Sequence, residues 1–168
     1  RESSLLRMEN SFLQNNHAQG KGGALYIDNT QSASANQVVI NNVEFSSNSA
    51  SFGSSAGGAL YARNALELEI KESLFKENLA TVNGGAVFLY DVENDVTISK
   101  SVFEKNRARG GAGGAIVIAS QNGAKTGVLN VSSSRFIENR AGMYGGAISS
   151  GNTYNLYGSM VITDSTFE

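Results

Sequence analysis

Cysteine and proline are both absent from the 168 residues of this chain, and His17 is its only histidine. Without cysteine the chain can form no disulfide and no thiolate metal site. A single histidine also excludes the usual zinc sites and the Ser-His-Asp triad. Because proline is missing, turns must be made by asparagine, serine, aspartate and glycine, and glycine occurs 19 times.

The chain also has little net charge and no long apolar run. The net charge is −2 and the isoelectric point is about 5.5, which provides no basic surface for nucleic acid or an anionic membrane. No apolar run approaches the roughly 20 residues that span a bilayer. We therefore expect no nucleic-acid partner and no direct membrane insertion by this segment. The start at Arg1, without a signal-peptide pattern, and a repeat that stops just after Phe167 lead us to expect a longer parent protein.

One motif recurs in tandem along the chain. It reads Phe-x-x-Asn, followed by Gly-Gly-Ala and an aliphatic residue, and a sixth copy begins at Phe167. Successive phenylalanines are 28 to 33 residues apart, and a period near thirty residues is typical of a solenoid. The repeated positions are Phe12, Asn15, Gly22 and Gly23; Phe45, Asn48, Gly57 and Gly58; Phe75, Asn78, Gly84 and Gly85; Phe103, Asn106, Gly113 and Gly114; and Phe136, Asn139, Gly145 and Gly146.

Each copy contains short runs in which apolar residues alternate with polar ones, as half-buried strands do. No window carries the stripe of an amphipathic helix, and crossover helices are missing. The pattern therefore predicts an all-β protein, a parallel β-helix of about five coils of roughly 30 residues with three short parallel sheets. We expect a single domain over residues 1–168, with repeats that begin near residues 6, 38, 68, 96, 129 and 160.

Stacking assigns a structural role to each repeated residue type. The phenylalanines are expected to lie over one another in the interior. An inward asparagine amide can bond the amides above and below it, or asparagine can serve as a left-handed turn residue. We favour the amide ladder, because a simple turn would accept glycine or aspartate in some copy. The paired glycines are expected to let the backbone bend into the next strand.

The first copy departs from this spacing. Its alternating run, Leu6-Arg7-Met8, lies one residue closer to Phe12 than in the other copies. Ala18 also follows Asn15 by three residues, whereas the other alanines follow their asparagine by two.

The tandem Phe-x-x-Asn and Gly-Gly-Ala-(Ile/Leu/Val) motifs resemble the repeat of the chlamydial polymorphic outer membrane proteins, from Phe12 to Phe167. The resemblance implies a right-handed parallel β-helix that is displayed outside the cell, as the passenger of an autotransporter, and is used in adhesion. It implies a location at the cell surface, associated with the outer membrane in a bacterium.

One row of side chains suggests a recognition surface. If the aliphatic residues of the Gly-Gly-Ala strands point inward, alternation turns the following residues outward, one per coil. These are Tyr26, Tyr61, Phe88, Val117 and Ser149. An exposed aromatic row suits a sugar or a partner protein. The alternatives are that projecting loops cover this row, or that the opposite register buries Tyr26 and Tyr61.

Catalytic and modification sites have weaker support. Glycoside hydrolysis needs two carboxylates on one surface, and the candidates are Glu67 with Glu69, or the loop residues Asp91, Glu93 and Asp95. We interpret both groups as solvated charges. The same interpretation applies to the basic cluster, which comprises Arg107, Arg109, Arg135 and Arg140. Asn130-Val131-Ser132 is a glycosylation sequon that matters only in a eukaryote.

These observations predict a non-catalytic segment of a surface-displayed β-helical protein, which acts as an elongated scaffold and contact surface. No cofactor is expected. The expected partners are a protein or glycan of a host or neighbouring cell, or further copies of the same chain. Two alternatives are a structural subunit of an extracellular fibre or coat, and a carbohydrate-active lyase or hydrolase on the same scaffold.

Overall fold

The computed structural model describes residues 5–29, 36–64, 66–92, 94–120, 127–151 and 159–168. These residues form strands and turns, and none of them lies in a helix that could span a membrane. In chain order the strands are β1 (Leu5–Gln14), β2 (His17–Ala18), β3 (Leu25–Asp28), β4 (Asn36–Ser46), β5 (Ser49–Ala50), β6 (Leu60–Arg63), β7 (Leu66–Lys71), β8 (Leu74–Lys76), β9 (Leu79–Ala80), β10 (Val87–Tyr90), β11 (Val96–Ser99), β12 (Val102–Glu104), β13 (Arg107–Ala108), β14 (Ile116–Ala119), β15 (Val128–Ser132), β16 (Arg135–Ile137), β17 (Arg140–Ala141), β18 (Ile148–Ser150), β19 (Ser159–Thr163) and β20 (Thr166–Phe167).

Every strand pairs in parallel with its equivalent in the neighbouring coil. The first sheet has the order β19-β15-β11-β7-β4-β8-β12-β16-β20, because the long strand β4 extends through two consecutive segments of its coil and also pairs with β1. The second sheet has the order β17-β13-β9-β5-β2 and the third has the order β18-β14-β10-β6-β3. The protein is therefore an all-β solenoid of about five turns with three parallel sheets, as the repeat predicts.

Stacked phenylalanines fill the interior beside the first sheet. Neighbouring ring centroids are 4.7 to 4.9 Å apart and the rings are within 6° of parallel. This distance matches the spacing of about 4.8 Å between paired strands, so each coil contributes one ring at the same height. The predicted interior stack is confirmed for four of its members, Phe45, Phe75, Phe103 and Phe136, which are fully buried, and it continues to Phe167.

The first coil contributes Leu13 instead of Phe12 to this column. In the register between β1 and β4, Met8 pairs with Ile40 and Leu13 pairs with Phe45, whereas Phe12 pairs with Glu44. A shift of one residue in a strand moves a side chain to the opposite face. Phe12 therefore points outward and is 73% exposed, and its predicted place in the stack is wrong.

Asparagine amides form the predicted ladder in the next part of each coil. The Nδ2 atom of Asn78 donates to Oδ1 of Asn106 at 2.9 Å and to the carbonyl of Phe45 at 2.9 Å. The backbone N–H of Asn78 also donates to the same Oδ1. This pattern satisfies backbone carbonyls that leave the sheet hydrogen bonds, and it confirms the ladder at four positions, which are Asn48, Asn78, Asn106 and Asn139.

The register shift of the first coil also changes its asparagine. Asn16, rather than Asn15, donates through its N–H and Nδ2 to Oδ1 of Asn48, at 3.0 and 2.9 Å. The placement of Asn15 in the ladder is therefore wrong. Asn15 has a φ of 57°, and the residues that precede the other ladder asparagines share this left-handed backbone, for example Glu77 at 54°. Both functions considered for asparagine thus occur, at adjacent positions.

Serine forms a second ladder, two residues before each later phenylalanine of the stack. The Oγ atom of Ser101 donates to the carbonyl of Ser99 and accepts the backbone N–H of Ser73, at 2.9 and 3.2 Å. Equivalent bonds connect the whole column, Ser73, Ser101, Ser134 and Ser165. The signal for it in the sequence is the recurrence of serine at this spacing.

The two glycines of each pair have different functions. The first has a left-handed backbone, with φ between 58° and 66°, which glycine adopts without a Cβ clash. The second, in every pair but the last, lies where two backbones approach closely: a Cβ on Gly85 would lie 2.0 Å from the carbonyl oxygen of Gly114 and close to the backbone of Arg107. The pair therefore makes the turn and also lets neighbouring parts of the backbone pack directly on each other.

Candidate recognition groove

The third sheet presents its aliphatic residues to the core and the predicted aromatic row to the outside. Leu60, Val87 and Ile116 are fully buried in the main core, with Leu25 and Ile148 packed against it. The next residue of each strand points to the opposite face, and the register aligns these residues in one row, Tyr26, Tyr61, Phe88, Val117 and Ser149. The predicted inward and outward faces of this sheet are confirmed.

The expected exposure of this row is wrong for Tyr61 and Phe88. Tyr26 is 50% exposed, but Tyr61 and Phe88 are only 1% and 4% exposed. They belong to a second, smaller apolar cluster on the outside of the sheet, which also contains Ala56, Ala112, Val117 and Ala119. Ala56 and Ala112 lie in the turns that precede the glycine pairs, so these turns cover the row.

The aromatic rings of the row stack from one coil to the next. The ring centroids of Tyr26 and Tyr61 are 5.2 Å apart, and those of Tyr61 and Phe88 are 5.5 Å apart. Both faces of the Tyr61 ring are therefore occupied. A ligand at this row would meet ring edges and the tyrosine hydroxyl rather than an open ring face.

A second outward row lies beside the first, two residues further along each strand. Asp28 pairs with Arg63, and Arg63 pairs with Tyr90, in the strand register. Arg63 Nη1 is 3.9 Å from Asp28 Oδ2, which also accepts the hydroxyl of Tyr26 at 2.9 Å. The guanidinium of Arg63 lies 5.5 Å from the centroid of the Tyr90 ring, a cation–π contact.

The two rows form a groove of about 350 Å³ on the flank of the column. It is lined by residues from three successive coils, Lys21, Ser54, Ala56, Tyr61, Arg63, Val82, Asn83, Phe88 and Tyr90. We name this the recognition groove. Lys21 Nζ donates to the hydroxyl of Tyr61 at 3.2 Å and lies 4.7 Å from the centroid of its ring.

Burial shifts the pKa values of two side chains in the recognition groove, Lys21 and Tyr61. Partial burial lowers the pKa of Lys21, and the positive charge of Arg63 lowers it further, while Asp28 acts in the opposite direction. Burial raises the pKa of Tyr61, so this hydroxyl stays protonated at neutral pH. The groove can therefore donate hydrogen bonds from two cations, Lys21 and Arg63, to one bound group, while the buried hydroxyl of Tyr61 holds Lys21 in place.

The sequence analysis did not identify three residues that line the recognition groove, Lys21, Arg63 and Tyr90. A signal for two of them exists, because Arg63 and Tyr90 occupy the next outward position after Tyr61 and Phe88. Lys21 lies in a turn outside the strands, where alternation gives no direction for the side chain.

The candidate catalytic carboxylates lie in two separate regions of the structure. Glu67, Glu69 and Asp95 line an open groove of about 560 Å³ on the first sheet, which we name the acidic groove. Asp95 Oδ1 accepts the backbone N–H of Val128 at 2.9 Å, whereas Asp91 lies apart and accepts the hydroxyl of Ser120 at 3.1 Å. Glu93 lies outside the described residues. In the described part of the chain, no three acidic, histidine or cysteine side chains are grouped so that they could hold a metal ion.

The basic cluster is also divided. Arg107 and Arg140 are exposed register partners on the second sheet. Arg135 lies on the first sheet and pairs with Glu168 at 3.3 Å. The sequon residue Asn130 is half-buried on β15, with Nδ2 3.5 Å from the carbonyl of Val128.

A comparison with known protein families matches part of the chain. The family model described as Chlamydia polymorphic membrane protein (Chlamydia_PMP) repeat matches residues 10–28 and 42–63. Each matched range extends from just before the phenylalanine position to the Gly-Gly-Ala strand, so the matches fall on the first two copies of the motif. No curated protein and no solved structure matches the chain.

Proposed function

We propose that this chain, which carries repeats of the chlamydial polymorphic membrane protein family, is a non-catalytic, elongated scaffold and contact surface of a surface-displayed protein. It belongs to the passenger of an autotransporter, associated with the outer membrane, and contributes to adhesion. Its partner is a protein or glycan on another cell. The sheets of the solenoid supply the rigid column and the recognition groove supplies the contact.

The construction of the column supports the scaffold part of this proposal. Three parallel sheets, the phenylalanine stack and two side-chain ladders all run in the same direction, so each coil is bonded to the next at several points around its circumference. Each added coil extends the column by about 4.8 Å with the same contacts. Such a structure carries a binding surface away from its anchor without a separate core for each unit.

The recognition groove is the observation that carries the contact part. It combines a buried aromatic floor with two cations on the outer face of a sheet whose backbone groups are already paired. Aromatic and arginine side chains are the residue types that dominate recognition surfaces. Their position on the flank leaves them accessible when further coils extend the column at either end.

Retention on host cells tests this proposal. We expect the chain to bind, and we expect a variant with Lys21→Gln and Arg63→Gln to lose most of this binding while it remains folded. A matched control, Lys100→Gln with Arg109→Gln, removes the same two charges from exposed positions outside the groove and should keep the binding. Equal loss in both variants would overturn the groove as the contact surface, and absence of binding by the unmodified chain would overturn the contact function.

A further inference from the structure

We propose that the recognition groove binds the carboxylate of an acidic saccharide, with Lys21 and Arg63 as the residues that hold it. This rests on the proposed function, because it names the ligand class of the same surface. Four properties of the groove support it, namely its charge, its unused hydrogen-bond donors, its size and its position on a sheet face.

The charge of the groove is positive and incompletely neutralised. Two of its lining residues are cations and none is acidic. Within the described residues Lys21 forms no ion pair, and its Nζ bonds only the neutral hydroxyl of Tyr61. Asp28, outside the lining, is 3.9 Å from Arg63, which is beyond hydrogen-bond distance. Arg63 and Asp28 thus form a long ion pair, and the two cations together exceed this one carboxylate by a single positive charge, which favours the binding of one negative group.

Arg63 also has a donor that is not used. Its Nε–H is buried and has no hydrogen-bond partner among the described residues. A buried donor without a partner is costly, and a small movement of the Arg63 side chain that brings Nε to a bound oxygen atom would remove this cost. Guanidinium groups match the planar geometry of a carboxylate, with two parallel N–H···O bonds. The partial burial of Arg63 makes such bonds stronger than they would be in open solvent, whereas Lys21 is exposed.

The remaining lining favours a sugar as the molecule that bears this carboxylate. The groove exposes polar groups of Ser54, Asn83 and Tyr90 beside the tyrosine hydroxyl that meets Lys21. These groups can bond the hydroxyls of a saccharide. The volume of about 350 Å³ lies at the lower end of the usual range for small-ligand sites, roughly 300 to 1,000 Å³, and suits one or two sugar rings.

The position of the groove disfavours an acidic peptide as the ligand. Extended peptides commonly bind by adding a strand to a free sheet edge. The groove lies on the face of β6 and β10, whose backbone groups already pair with β3 and β14 on either side. An acidic peptide would therefore find side-chain contacts only, and we take it as the competing outcome of the test.

Binding to matched acidic and neutral saccharides tests the proposal. The probes are 3′-sialyllactose against lactose, and oligogalacturonate against its methyl ester, each immobilised at equal density with the chain in solution. We expect at least one acidic probe to bind about tenfold or more tightly than its neutral partner, which corresponds to the loss of one charge-assisted hydrogen bond. The preference should weaken as the salt concentration rises.

Variants connect this preference to the groove. Arg63→Gln and Lys21→Gln should each weaken binding of the acidic probe about tenfold, without changing binding of the neutral probe. Arg109→Gln, an exposed arginine outside the groove, should leave both unchanged. Thermal denaturation verifies that each variant is folded, and Lys21→Gln carries the test alone if Arg63→Gln fails to fold.

Several results would overturn the inference. These are equal binding of acidic and neutral probes, acidic binding that both groove variants retain, and tighter binding of poly-glutamate than of any saccharide. If host cells retain the chain through the groove but no acidic saccharide binds, the inference fails and the proposed function stands. If an acidic saccharide binds in the groove but cells are not retained, the inference stands and the adhesive function fails.

Discussion

Leu13 pairs directly with Phe45 in the parallel register between β1 and β4, so a leucine begins the column that phenylalanines continue. Phe12, its neighbour in the chain, points outward beside Glu44. The first coil thus keeps the hydrophobic column of the solenoid with a different residue type. Its outer surface gains an exposed aromatic ring that the later coils do not have at this position.

The two phenylalanine positions predict very different mutational effects. Phe75→Ala should lower the free energy of unfolding by about 3–5 kcal/mol, because it removes a buried ring that stacks on both neighbours. Phe12→Ala should change it by about 0.5 kcal/mol or less, because that ring is mostly exposed. Urea denaturation measures both values. A large loss for Phe12→Ala would contradict the register of the first coil.

The asparagine ladder predicts a second contrast. Asn78→Ala should cost about 1–3 kcal/mol, because it removes the two Nδ2 bonds to Phe45 and Asn106 and the Oδ1 that accepts from Asn48. Asn15→Gly should be nearly neutral, because Asn15 contributes a left-handed backbone that glycine adopts without strain. Denaturant midpoints of the two variants provide the comparison. Equal stability of Asn78→Ala and the unmodified chain would show that the ladder contributes nothing.

The second glycine of each pair except the last, Gly146, should tolerate no side chain. A methyl group at Gly85 would overlap the backbone of Gly114 and Arg107, neither of which can move without disrupting a neighbouring coil. We expect Gly85→Ala to lower the free energy of unfolding by about 1–3 kcal/mol or more. Gly20→Ala is the matched control, because nothing lies within 4 Å of the added methyl group. Comparable melting temperatures for the two variants would contradict the close approach of the backbones.

The surroundings of Lys21 in the recognition groove should lower its pKa. The pKa of Lys21 should lie below the ordinary value of 10.5, chiefly because of burial and also because of the adjacent Arg63. Arg63→Gln should raise the pKa of Lys21, and Arg109→Gln should leave it unchanged. Nuclear magnetic resonance of ¹³C-dimethylated lysines measures these values as a function of pH. A value for Lys21 at or above 10.5 in the unmodified chain would contradict its burial beside Arg63.

The same shift has a consequence for stability. The folded state releases the Lys21 proton at a lower pH than the unfolded state, so the unfolded chain binds more protons in the interval between the two pKa values. The contribution of Lys21 to the free energy of unfolding therefore rises with pH across this interval and is constant above 10.5. A Lys21→Gln variant should lack this rise.

Much of the architecture could be predicted because the solenoid is periodic. Alternation at a spacing of two determines which side of a strand faces the core, and this correctly placed Leu60 inside and Tyr61 outside. The shift of the first coil was missed because two asparagines are adjacent, Asn15 and Asn16, and the Phe-x-x-Asn pattern selects the first. The spacing from Met8 to Leu13 equals that from Ile40 to Phe45, and this equality identifies the correct register.

The recognition groove could not be predicted in the same way. Whether an outward side chain is exposed depends on the turns that lie over it, and these turns do not follow the two-residue period. Ala56 covers part of the aromatic row, and Lys21 enters from a turn of another coil to meet Tyr61. Strand alternation thus identifies the face that carries the groove, but only the three-dimensional structure defines its lining.

The most direct test of the central claim, that the recognition groove is the contact surface, uses the absence of cysteine from the chain. Ser54→Cys places a single thiol at an exposed position in the recognition groove, and Thr97→Cys places one in the acidic groove. Each variant is coupled to the same bulky maleimide, and its retention on host cells is compared before and after coupling. We predict that coupling at residue 54 abolishes retention and that coupling at residue 97 does not. Undiminished retention after coupling at residue 54 would contradict the account.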